Sequence, residues 1–366
     1  MQIRLLLLIM EKLLRLEIIN NYWHRKGFTQ NFIKKALINL NSLYQIINDQ
    51  FYKKFSWIII LTPLSVLFFI AIQIRNFFYN IGLLKSFKLA RPVIVVGNIT
   101  LGGTGKTSLI QKIIEDLTKK KISVGVISRG YGGIVKHPLE VLKNSRVEDV
   151  GDEPLLLKNK YDIPIFVGKD KVSVGQFLIN QYPHVQLILS DDGLQHYKLQ
   201  RDLEICIIDG QRGFGNNLLL PSGPLREPKS RLKKCDLIVL NEKNDNFDYD
   251  YLMTYKNPNF LLNKNNQKIK FTELKDQDIL IMSAIGNPNR LIKFFRSFGF
   301  DFKYKFFNDH YFFKQEDFDG LEKKLIVMTE KDIVKCENIN HDNIWYLPVS
   351  VEIDEGFINE ISKLIK

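Results

Sequence analysis

Val95-Val96-Gly97-Asn98-Ile99-Thr100-Leu101-Gly102-Gly103-Thr104-Gly105-Lys106-Thr107 decides the reading of this chain. The segment leaves an apolar run that begins at Pro92 and enters an amphipathic stretch that continues to Lys119. Strand, glycine-rich turn, Lys-Thr and helix is the context of a nucleotide phosphate loop. Glycines at 102, 103 and 105 let backbone N–H groups turn toward phosphate oxygens, and the helix N-terminus adds partial positive charge. Thr100, Leu101, Gly102, Gly103, Thr104, Gly105, Lys106, Thr107 and Ser108 are therefore the candidate nucleotide-binding residues. Lys106 is expected to reach the β- and γ-phosphates, and the Thr107 hydroxyl to ligate Mg2+. The strict signature has Gly where this chain has Thr100, yet Gly-Gly-Thr-Gly-Lys-Thr keeps every element that touches phosphate. A turn that merely caps a helix has no need of Lys-Thr after it.

Outward from this loop, short apolar runs alternate with helical stretches. Ser123–Ile127, Leu187–Leu189, Ile205–Ile208 and Leu237–Leu240 read as buried strands. Near-continuous apolar strands separated by helices imply a largely parallel sheet covered on both faces, an α/β/α domain of phosphate-loop type. A polar stretch from Asn241 to Asp250 breaks the rhythm, and strands at Ile279–Met282 and Leu325–Met328 begin a smaller C-terminal α/β/α domain. The expected organisation is a basic extension of unknown role at 1–54, an apolar membrane-associated helix at 55–80, the phosphate-loop domain at 81–250, a linker at 251–272 and the C-terminal domain at 273–366.

Residues 1–54 carry nine Lys and Arg against three Asp and Glu, a surplus of six within a formal net charge of +12. A basic balance suits an anionic partner: nucleic acid, lipid headgroups or a phosphorylated substrate. The N-terminal apolar run is followed at once by charges and by no small-residue cleavage site, which argues against a secretory signal. Phe55 to Ile74 is different: twenty residues without a charge, long enough to cross a bilayer or to lie within one leaflet. A buried core helix is the alternative. Cys206, Cys235 and Cys336 stand far apart with no Cys-x-x-Cys pair, which argues against a zinc site or a disulfide framework and for a reducing compartment.

The carboxylates supply the chemistry. Leu187–Leu189 runs into Ser190-Asp191-Asp192-Gly193-Leu194-Gln195-His196, an apolar strand ending in two acids. Adjacent acids near phosphates repel unless a cation lies between them, so Asp191 and Asp192 are candidate Mg2+ residues; an exposed Asp-Gly turn is the plainer alternative. Asp149-Val150-Gly151-Asp152-Glu153-Pro154 precedes an apolar helix, where Asp152 reads either as an N-cap or as a general base. His310 lies among aromatics in Phe306-Phe307-Asn308-Asp309-His310-Tyr311-Phe312-Phe313, and taken locally it reads as a core histidine.

Together with Ser128-Arg129-Gly130-Tyr131-Gly132-Gly133, Arg201-Asp202-Leu203-Glu204, Leu220–Pro228 and Thr329-Glu330-Lys331-Asp332, these motifs resemble the tetraacyldisaccharide 4'-kinase family of lipid A biosynthesis. The resemblance runs from about Trp57 to the C-terminus. It implies transfer of the ATP γ-phosphate to the 4'-hydroxyl of a tetraacyldisaccharide 1-phosphate, at the cytoplasmic face of the inner membrane. It also implies Asp152 as base paired with His310, Lys106 on the transferred phosphate, and Asp191 and Asp192 on magnesium. Glu153, Gln195 and His196 line the same site, and Arg129 and Arg226 are candidates for anionic substrate. The implied partners are a lipid-linked disaccharide and a membrane surface, with no nucleic acid and no obligate protein partner. Thr329–Asp332 and Ser283–Pro288 are candidates to hold adenine. A regulatory or metallochaperone-type phosphate-loop NTPase is the rival reading, although Asn241-Glu242-Lys243-Asn244-Asp245 has the wrong spacing for a guanine motif. A nucleic-acid-binding protein is suggested by charge alone, without any recognisable module.

Overall fold

The computed structural model describes residues 49–53, 56–130, 137–275, 277–285, 289–307 and 311–364. Most of the basic extension, and His310, lie outside the described residues. The chain divides into two compact units. The first takes in 49–84, Ile99–Gly102 and Gln211–Lys234, and the second Lys85–Asn98, Gly103–Gly210 and Cys235–Lys366.

In the first unit, a short 3-10 turn at Trp57–Leu61 runs into the Thr62–Asn80 helix, with Pro63 in the helix's first turn. Proline is tolerated there because that N–H has no intrahelical partner, so Pro63 starts the helix instead of breaking it. One stripe of the helix is held by protein. Ser65 donates to Leu219 O (2.9 Å) and accepts from Ser222 N (3.1 Å). Phe68 packs against the Phe51, Ile58, Leu101 and Leu220 cluster, Ile72 is buried, and Arg75 pairs with the buried Glu227 (3.5 Å). Steps of three and four residues put all four on one face. The remaining faces expose Leu64, Val66, Leu67, Phe69, Ile70, Ile74 and Phe77. Trp57–Asn80 is long and apolar enough to cross a membrane, and only 17% of its most apolar window is buried.

The second unit carries two sheets among the described residues. The strands are β1 (Val93–Gly97), β2 (Val124–Ser128), β3 (Leu139–Glu140), β4 (Ile165–Val167), β5 (Leu187–Asp191), β6 (Leu203–Asp209), β7 (Leu237–Asn241), β8 (Tyr251–Tyr255), β9 (Phe260–Asn263), β10 (Lys268–Lys270), β11 (Ile279–Ser283), β12 (Phe302–Phe306), β13 (Leu325–Thr329), β14 (Ile344–Leu347) and β15 (Val351–Ile353). The larger sheet has the order β15-β8-β7-β6-β1-β5-β2-β4-β3, parallel from β8 to β4 and antiparallel at both edges. Every residue of β1, β2 and β5 is buried, which is why these strands read as unbroken apolar runs and not as alternating ones. The Lys106–Lys119 helix lays Leu109, Ile110, Ile113, Ile114 and Leu117 against them. The largely parallel α/β architecture expected from the sequence is the one observed.

The smaller sheet, β10-β9-β14-β13-β11-β12, is covered by one cluster around Met282, Met328 and Phe318 and another around Ile281, Val327 and Phe295. The chain crosses between the sheets twice, after β8 and before β15. The 251–272 stretch thus gives β8 to the larger sheet and β9 and β10 to the smaller. The last segment returns: β15 pairs with β8, and the Glu355–Ser362 helix packs Phe357, Ile358 and Ile361 into the larger core.

Candidate active site

Parallel strands end on one side of a sheet, so the loops after β1, β5 and β2 collect at their carboxyl ends, where open α/β sheets bind ligands. In the phosphate loop, Ile99–Gly102 belongs to the first unit and Gly103 onward to the second. Gly105 has φ +97, a left-handed conformation, and a Cβ there would fall 2.6 Å from Asn241 Nδ2. Asn241, buried at the end of β7, donates that amide to Thr104 O (2.9 Å), so it fixes the peptide that turns into the helix. The sequence reading weighed Asn241 only as part of a guanine motif; its buttressing role depends on β7 lying two strands away from β1.

Lys106 is tethered by Asn98 Oδ1 (3.0 Å) and faces Asp192 Oδ1 at 3.5 Å. Thr107 donates to Glu153 Oε1 (3.2 Å), which joins the loop to the Asp152–Lys160 helix. Ser108 points elsewhere, its hydroxyl 3.4 Å from Tyr255 Oη on β8. Thr100, Leu101 and Gly102 lie in the first unit beside Arg226, whose N–H donates to Ile99 O (2.7 Å).

Asp191 is buried and accepts from Ser128 Oγ (3.1 Å). Burial first, then the charges of Glu153 and Asp192, push its carboxyl up to about 6, against the pull of Lys171 and Lys106. Asp192 adopts φ 49, so consecutive acids leave the strand in different directions. Among the described residues no group of three or more His, Cys, Asp or Glu forms a protein-only metal cage. Magnesium bound through one or two carboxylates and substrate phosphates needs no such cage, and the mutual repulsion around Asp191 is what a divalent cation relieves. Asp191, Asp192 and Thr107 fit the group.

Lys171, which sequence reasoning missed, is 2% exposed, and its ammonium donates to Ser190 Oγ (3.1 Å) and to the Asp191 carbonyl. Desolvation lowers its pKa to about 8, with Asp191 and Asp192 acting in the opposite sense. It sits in a Lys-Asp-Lys run that reads as ordinary surface; only the fold turns it inward. His196 is held neutral, its pKa lowered to about 3 by burial and by the charges of Lys171, Arg129 and Arg201. Gln195 donates to Asn98 O (3.1 Å), and Arg201 clamps the turn through Gly193 O and Leu194 O. The charge of Arg129 acts on both Lys171 and His196.

Asp152 is 4% exposed; its Oδ1 accepts from Glu153 N (3.0 Å) and its Oδ2 lies 3.6 Å from Lys331 Nζ. The expected partner His310 falls outside the described residues. Thr329–Asp332, expected to hold adenine, commits its side chains otherwise: Asp332 to the smaller sheet's core, Glu330 to Lys160 (3.1 Å), and Lys331 to Asp152 and Glu153.

The family model of tetraacyldisaccharide-1-P 4'-kinase matches residues 57–366. The chain belongs to that family. Curated tetraacyldisaccharide 4'-kinases are similar over most of their length: that of Methylobacillus flagellatus is 40% identical over 312 residues, 85% of this chain and 93% of its own. That of Haemophilus influenzae is 38% identical over 325 residues, 85% of this chain and 96% of its own. Among solved structures, the "apo" form of LpxK from Aquifex aeolicus in complex with ATP matches with a TM-score of 0.71 at 28% identity, covering 84% of this chain and 98% of that one. The family match begins at Trp57, so residues 1–56 stand outside it. Within the family, the phosphate loop makes this chain an ATP-dependent kinase.

Proposed function

We infer that this kinase transfers the γ-phosphate of ATP to the 4'-hydroxyl of a tetraacyldisaccharide 1-phosphate, and that it does so at the cytoplasmic face of the inner membrane. The single observation that carries the assignment of residues is that the phosphate loop pairs with both acidic segments, Lys106 with Asp192 just after β5 and Thr107 with Glu153 at the start of the Asp152–Lys160 helix. Backbone N–H groups of the phosphate loop and the Lys106 ammonium hold the β- and γ-phosphates. Thr107, Asp191 and Asp192 hold magnesium, which when bound spreads the negative charge of the phosphates. Asp152, for which the family resemblance implies His310 as partner, takes the proton from the 4'-hydroxyl. The sugar oxygen attacks the γ-phosphorus in line, the bond to the β,γ-bridging oxygen breaks with its electron pair, and ADP leaves. Lys106 stabilises charge on the phosphoryl oxygens throughout. Gln195, the neutral His196 and Arg129 orient the anionic disaccharide, and Arg226, in the first unit, is a further candidate for an anionic group of the substrate. The exposed apolar faces of Thr62–Asn80 support attachment to a bilayer, where the acyl chains remain.

The test is an assay with labelled ATP and the disaccharide 1-phosphate lipid. Asp152→Asn is expected to lower kcat by roughly 10²–10⁴-fold. Unchanged turnover removes the base assignment. Wild-type protein that hydrolyses ATP while leaving the lipid unphosphorylated favours the phosphate-loop NTPase reading instead.

A further inference from the structure

Lys331 stands on a four-residue helix, Glu330–Ile333, that follows β13 of the smaller sheet. Its place is fixed from both sides. Next to it, Asp332 is fully buried and accepts from Ser283 Oγ (2.9 Å), Ala284 N (3.2 Å), Thr329 Oγ1 (2.7 Å) and Lys335 Nζ (2.6 Å). That network ties the helix to the end of β11. On its other side, Glu330 accepts from Lys160 (3.1 Å) and from Gln111 (3.4 Å), both on helices of the larger sheet. Two such anchors fix the backbone at Lys331, and its side chain is only 22% exposed.

The ammonium goes to the acids of the larger lobe. Lys331 Nζ lies 3.6 Å from Asp152 Oδ2 and 3.1 Å from Glu153 Oε1. The same Glu153 oxygen accepts from Thr107 Oγ1 at 3.2 Å. One carboxylate oxygen therefore joins the phosphate-loop hydroxyl to a cation from the other lobe, and the second carboxylate on that cation is the proposed base. Asp152 is 4% exposed, so this pairing is poorly screened by solvent, unlike an ion pair on an open surface.

Resting on the kinase reading above, we propose that Lys331 is a positioning residue for phosphoryl transfer: delivered by the smaller lobe, it holds Asp152 and Glu153 in register with Thr107. The Thr-Glu-Lys-Asp motif then divides its labour. Asp332 anchors the motif, Glu330 docks the lobes and Lys331 sets the carboxylates.

The experiment compares full-length wild type with Lys331→Met, Lys331→Arg and Glu330→Gln in the lipid kinase assay, with ATP affinity measured separately. Lys331→Met is expected to lower kcat roughly 10–100-fold, the cost of misplacing a reacting group, while KM for ATP stays within about threefold. Lys331→Arg, which keeps the charge, is expected to recover to within about tenfold of wild type, and Glu330→Gln to stay closer still. Should Lys331→Met not fold, Lys331→Gln replaces it in the comparison. Wild-type kcat in the neutral variants overturns the proposal, as does an equal loss in Glu330→Gln, which would assign the effect to docking alone. Absence of lipid phosphorylation by the wild type refutes the kinase reading instead, and the two failures are thereby distinguished.

Discussion

Asp191 ends β5 and His196 lies on the connection that follows, yet their environments push them in opposite directions relative to folding. Burial keeps His196 neutral, so below pH 6.5 the unfolded chain binds a proton there that the folded chain refuses. Its contribution to stability is fully present above pH 6.5 and declines by about 1.4 kcal/mol per pH unit as pH falls toward the folded value. Asp191, with its carboxyl raised to about 6, favours the folded state as pH falls through the window from 6 to 3.8, so it opposes the histidine. A comparison of variants separates the two. Between pH 7 and 5, His196→Gln is expected to lose about 2 kcal/mol less stability than wild type in nucleotide-free denaturant titrations. Asn241 supports a second residue-scale prediction. Asn241→Asp removes the donor to Thr104 O and sets a carboxylate against the phosphate loop. ATP affinity by calorimetry is expected to fall roughly tenfold or more, from a lost bond of about 1–3 kcal/mol with added repulsion.

At the scale of the element, the Thr62–Asn80 helix has two kinds of face. At 19 residues it is about 28 Å long, close to the hydrocarbon thickness of a bilayer. The Ser65-Phe68-Ile72-Arg75 stripe is held by its own unit, with Glu227 neutralised between Arg75 (3.5 Å) and Arg231 (3.6 Å). The other faces are apolar and uncovered. Replacing both Leu67 and Ile70 by Glu is expected to reduce co-sedimentation with phospholipid vesicles roughly tenfold or more, since each carries about 2 kcal/mol of transfer energy. Nucleotide affinity is expected to be unaffected. Parallel loss of vesicle binding and ATP binding would mean that the helix stabilises the fold and does not serve as a membrane anchor.

For the molecule as a whole, both lobes of the second unit are threaded twice by one chain, after β8 and before β15, and Lys160, Glu330 and Lys331 join them by ion pairs. Catalysis that gathers groups from the phosphate loop, the Asp152 helix and the smaller lobe responds as a unit to loss of the cation. Chelation of magnesium is expected to abolish phosphoryl transfer to the lipid while leaving the folded protein intact by circular dichroism. Full turnover in excess chelator would remove Thr107, Asp191 and Asp192 from their assigned role.

The buried strands, the phosphate loop, the paired acids and the apolar 55–74 run were legible in the chain because each is local: an apolar period, a turn composition or an uncharged run appears in the residues themselves. Lys171, Asn241 and Lys331 carry no such mark. A lysine in a Lys-Asp-Lys run looks solvated, and it becomes a buried partner of Asp191 only because β4, which leads into its helix, lies two strands from β5 in the same sheet. Strand order, the return of β15 to the larger sheet and the meeting of Lys331 with Asp152 are long-range pairings, decided by which apolar surfaces bury one another. The sequence by itself determined the kind of chemistry and the elements that carry it; the tertiary structure decided which charges share a dry site, since burial and proximity exist only once the chain is packed.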